Sequence, residues 1–131
     1  MILFGLPLTA WVIVLITALF AILWVQIIIL HYRGAFHRIW MWGPILYLPV
    51  VIITGITALV FQNLALDIYG VLLIITLLMG LSGLFFHIQG IVRQVGGWNL
   101  DNIMVGPPPM FPLSLSLISL VGIIAVYFRR F

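Results

Sequence analysis

The sequence predicts an all-α integral membrane protein, a four-transmembrane-helix up-down bundle made of two parallel tandem helical-hairpin repeats. Three observations carry that expectation. Only 5% of the 131 residues are charged while 66% are hydrophobic, and the mean hydropathy is +1.40. A soluble domain uses about 25% charged residues to cover itself with a wettable surface. Four apolar stretches approach the ~20 residues that cross about 30 Å of hydrocarbon at ~1.5 Å per residue. Finally, the pattern His-x-x-Gly followed by Met-x-Gly-Pro-x-x-x-x-Pro is written twice, from His31 to Pro49 and from His87 to Pro112.

The expected spans follow in order. The first covers 7–30, with Pro7 in the opening turn, where the N–H it lacks would be unpaired anyway. This stretch is too long for a secretory leader, lacks a basic start and has no A-x-A site after it, so it reads as a retained span. The second covers 44–61 and the third 68–86, with Asp67 expected as its N-cap. The fourth covers 110–128. Backbone groups in lipid must pair within their own segment, so β-branched runs such as "VVIITGIT" are read as helix. Short links make an up-down order, placing the loops 31–43 and 87–109 on one face of the membrane.

The repeats are expected at 7–62 and 67–131 within one membrane domain. His31 and Gly34 map to His87 and Gly90, and Met41, Gly43, Pro44 and Pro49 map to Met104, Gly106, Pro107 and Pro112. A seven-residue insertion around "GGWNLDN" separates the two offsets. Both copies cross the membrane in the same direction, which makes a parallel repeat about the membrane normal. Arginines near the span ends number three on the His-bearing face (Arg33, Arg38, Arg93) and two on the other (Arg129, Arg130), a slim positive-inside preference for that face in the cytoplasm.

The composition also excludes chemistry. There are no cysteines, and hence no disulfides, iron–sulfur clusters or thiolate metal sites. Five basic residues scattered at span ends do not make a nucleic-acid surface. No carboxylate lies deep in a span, which counts against a proton-coupled carrier. No Ser-His-Asp or paired-carboxylate set appears at a common depth, so independent catalytic activity is not expected.

The remaining candidates centre on histidine. In a pseudo-two-fold bundle, His31 and His87 end equivalent helices at one depth, where two neutral imidazoles suit the axial positions of a haem b or another tetrapyrrole. Gly34, Gly83 and Gly90 lie one helical turn from these histidines and would admit a flat macrocycle. Arg33, Arg38 and Arg93 are placed to meet propionates. Gln26 is expected to face the bundle or a ligand, because an unpaired amide in lipid is costly. Interfacial capping is the plain alternative for both histidines, whose rings complement a helix C-terminus. A metal site adding His37 and Asp101 is a further alternative.

Three functions are therefore carried forward: a tetrapyrrole-holding subunit of membrane electron transfer, a cofactor-free structural or lipid- or quinone-binding subunit, and a small oligomeric channel or carrier. The expected partners are lipid and other membrane subunits, or further copies of the chain. The His-bearing four-helix layout is similar in architecture to small b-type cytochrome anchors, without their four-histidine, two-haem spacing. The tandem pattern has the look of a bacterial membrane family, implying a prokaryotic cytoplasmic membrane.

Overall fold

Four long apolar helices dominate the computed structural model, which describes residues 2–3, 5–61 and 63–128. They are α1 (Leu8–Arg33), α2 (Trp42–Val60), α3 (Leu64–Gly90) and α5 (Met110–Phe128), with a short α4 (Leu100–Val105) between the last two. All four long helices have the length and composition to cross a membrane, which makes this an integral membrane protein of the helical class. A two-residue antiparallel ladder, Ile2–Leu3 with Leu6–Pro7, precedes α1.

α5 matches its expected span, whereas α1 and α3 run past the expected hydrophobic limits because backbone pairing does not stop where the lipid does. α1 continues three residues beyond Leu30 to Arg33, while Pro7 sits just outside it in extended conformation. α3 begins one turn earlier than expected, with Asn63 in the N-cap position and no side-chain capping bond, so Asp67 is not the N-cap. Its carboxylate instead stands in the first turn, where the positive end of the helix dipole favours it. Beyond Gly90 the chain widens into a π-helical turn, Ile91–Val95. The expected repeat boundary at residue 62 and the arginines Arg129 and Arg130 lie outside the described residues.

Packing follows a heptad seam. The buried residues of α1 include Ile13, Ile16, Phe20, Leu23 and Ile27, with Thr17 beside them; those of α2 include Leu48, Val51, Gly55 and Ala58. Leu66, Tyr69, Leu73, Thr76 and Gly80 continue the same three–four alternation on α3, and Leu115, Ser119, Gly122 and Val126 do so on α5. A 3.5-residue repeat keeps such a stripe facing its neighbours in left-handed packing. Each long helix packs against two others, in the ring α1–α2–α3–α5, so α1 and α3 stand diagonally across the bundle. The outward side chains, among them Leu15, Ile22, Ile53, Leu78 and Leu117, are exposed and form a surface for lipid.

Polar groups inside the spans are settled locally. Thr54, Thr76, Ser82, Ser114 and Ser119 donate to the carbonyl four residues back on their own helices. Tyr47 donates across to the Leu72 carbonyl at 2.9 Å. Glycine supplies close approach where α3 meets α5: a Cβ on Gly80 would lie 2.8 Å from the Pro112 carbonyl oxygen and 2.9 Å from the Ser116 nitrogen. Both obstacles are backbone, which cannot yield as a side-chain tip can.

Candidate functional site

The ends of α1 and α3 that carry His31 and His87 meet the starts of α2 and α5 around one cavity of about 530 Å³. That volume falls within the ~300–1,000 Å³ of small-molecule sites. His31 and His87 come from diagonally opposed helices and line it together, with Gly34, Gly83, Gly90 and Arg93. His37 and Arg38 line it as well. Aromatic and proline-rich walls close the remainder. Trp40 stacks on Phe86 with centroids 6.0 Å apart, and Pro107 and Pro108 reach in from the 87–109 connection.

Prolines shape this site through the carbonyls they leave unpaired. Pro49 lies inside α2 and has no N–H for the Ile45 carbonyl, which instead accepts from the Trp24 indole nitrogen at 2.9 Å. Pro112 likewise offers no N–H to Pro108, whose carbonyl accepts from His87 Nδ1 at 2.7 Å. Donation to a carbonyl puts the His87 proton on Nδ1, so in the neutral ring Nε2 is bare and can act as a ligand or acceptor. His31 has no such anchor. Its Nδ1 is buried and makes no full hydrogen bond, the Ile27 carbonyl one turn back being the backbone group that interacts with the ring.

The matched glycines turn out to face protein. A Cβ on Gly90 would stand 2.9 Å from Pro107 Cγ, and one on Gly83 would stand 3.1 Å from Pro112 Cβ. Gly34, at the end of α1, would meet Met41 Cε at 3.3 Å. All three therefore let the proline-bearing and methionine-bearing segments close on the histidine helices, and they form cavity wall by doing so.

Three expected site residues lie elsewhere. Gln26 is exposed on the outer side of α1 and does not line the cavity. Five residues at ~100° each carry it about 140° round the helix from His31, whereas Ile27, four residues away, is buried on the histidine's side. Arg33 is exposed at the end of α1 and also stays outside the lining. Asp101 sits exposed on α4, and among the described residues no three His, Cys or acidic side chains gather as a metal site. The four-residue set of His31, His37, His87 and Asp101 thus does not form. His37 instead hydrogen-bonds through Nδ1 to the Gly34 carbonyl at 2.9 Å.

Sequence reasoning overlooked Met79, Trp40, Pro108 and Phe111 as lining residues. For Pro108 a signal was present: a proline four positions later marks a carbonyl available to an outside donor. The 87–109 connection is ordered by its own bonds. Gly96 and Gly97 adopt φ of 113° and 128°, the Asn99 side chain caps α4 by accepting from the Asn102 nitrogen at 2.9 Å, and Asn102 donates to the Gly97 carbonyl at 2.8 Å.

The donor set is chemically coherent for a ligand that is anionic at its edge and accepts imidazole at its centre. Arg38, Arg93 and three histidines line the cavity, and neither carboxylate of the chain does. No protein-family model, curated protein or solved structure matches this chain.

Proposed function

We propose that this protein is a small integral membrane subunit that holds a tetrapyrrole, haem b in the first instance, between His31 and His87 for membrane electron transfer. The observation that supports it is one cavity shared by two imidazoles from diagonally opposed helices, one of them with Nδ1 tied to a carbonyl and Nε2 bare. Bound there, the group would supply one-electron redox chemistry. The chain's own part is to fix two neutral ligands, meet carboxylates at the rim with Arg38 and Arg93, and exclude water with Trp40, Phe86 and Phe111.

On this reading the two halves are a duplicated helical hairpin in up-down order, with the histidine end facing the cytoplasm of a prokaryote. Electron transfer further implies partners, either other membrane subunits or further copies of the chain. A cofactor-free lipid- or quinone-binding subunit is the second reading, favoured by paired arginines beside an apolar wall with no acidic residue in the lining.

An absorption spectrum of protein purified from haem-replete cells separates the two. The tetrapyrrole reading expects an intense Soret band with six-coordinate, low-spin features, lost in the His31→Ala/His87→Ala double variant. A colourless wild-type preparation that retains an anionic lipid or quinone in native mass spectrometry establishes the second reading instead.

A further inference from the structure

His31 and His87 occupy matching places in the sequence pattern, yet their surroundings differ. Both helix-entry segments hold a proline-spared carbonyl, and each is taken by one ring N–H: Ile45 by Trp24, and Pro108 by His87. Trp24 lies seven residues before His31, two helical turns down one face of α1. The indole holds the acceptor on the α2 side that corresponds to Pro108, and His31 Nδ1 is buried without a full hydrogen bond. A nitrogen in that state has given up water with no hydrogen bond in return. His87 escapes that loss, and its tautomer and ring orientation are set by a 2.7 Å bond to backbone.

We infer that the two imidazoles have unequal duties: His87 is the permanent ligand of the site, and His31 is the exchangeable one. A carbonyl hydrogen bond at Nδ1 raises the basicity of Nε2 and holds the ring in place, and loss of such a bond typically weakens a metal site about 10–100-fold. His31 lacks that support. Were a haem held here, His31 would be the residue that a small neutral ligand could replace, with no electron transferred, and the His31 side of the cavity would be where a diatomic or azole ligand enters. This inference rests on the tetrapyrrole reading.

The test titrates metal-free protein in lipid nanodiscs with hemin, in wild type, His31→Ala and His87→Ala. His31→Ala should become five-coordinate and bind carbon monoxide rapidly once reduced, and its loss of hemin affinity should be at least ~10-fold smaller than that of His87→Ala. Long-range ¹⁵N–¹H NMR on the hemin-free protein reads the tautomers directly: His87 should be the Nδ1–H form, and His31 a mixture. Equal losses in the two variants, the reverse order, or an Nε2–H tautomer at His87 would overturn the inference while leaving the tetrapyrrole reading intact. Wild type that takes up no hemin at all removes both.

Discussion

Removing the Trp24 indole N–H while keeping an aromatic ring tests how a proline in a membrane helix is accommodated. In Trp24→Phe the Ile45 carbonyl loses its 2.9 Å donor, and Pro49 cannot replace it from within α2. A buried carbonyl without a partner costs about 1–3 kcal/mol, and interhelical hydrogen bonds in membranes average ~0.6 with a ceiling near ~1.7 kcal/mol. The half-buried position of the bond and the stem carbons retained by phenylalanine place the expected loss at about 1–1.5 kcal/mol. Pro49→Ala supplies an N–H four residues after Ile45 and so gives the same carbonyl a donor inside the helix. In that background Trp24→Phe should cost no more than about 0.5 kcal/mol, a coupling of roughly 1 kcal/mol between residues 25 positions apart. Reversible unfolding in mixed micelles, followed by steric trapping across the four variants, measures the cycle. An equal penalty for Trp24→Phe with and without the proline would refute the reasoning, because the indole would then contribute packing alone.

Three further outcomes follow from the geometry. Gly80→Ala should destabilise the α3–α5 contact by about 2–3 kcal/mol, since its methyl meets backbone at Pro112 and Ser116. Gly122→Ala meets the ends of Leu73 and Ile16 side chains at 2.9 and 3.3 Å, and should cost roughly 1 kcal/mol in the same unfolding assay. Ala35 and Phe36 hold φ of 58° and 47° where the chain turns over the end of α1. Ala35→Gly should therefore stabilise the protein by about 0.5–1 kcal/mol without altering ligand binding, read as a shift in thermal inactivation midpoint.

Number, kind and rough limits of the spans were legible in the sequence because they depend on local quantities alone. Residues such as the run before Gln26 or the stretch 110–128 are apolar over a full hydrocarbon thickness, and a backbone in lipid has helix as its open-chain option. The recurring pattern around His31 and His87 was legible too, and both residues line one cavity. What the linear pattern left open was rotation and acceptor choice. Gln26 was expected inward because its amide is polar, but helical phase overrides side-chain type, and 140° of rotation puts it outside. Asp101 shares a loop with cavity-lining prolines yet rides on the outside of α4.

The amino-acid sequence by itself decided that this chain lives in lipid as helices, and that two histidines recur at corresponding helix ends. Tertiary structure alone decided that those histidines are not equivalent. Which ring captures which carbonyl depends on packing between helices, which is written in neither copy of the pattern. Trp24 reaches Ile45, His87 reaches Pro108, and the nitrogen left over belongs to His31.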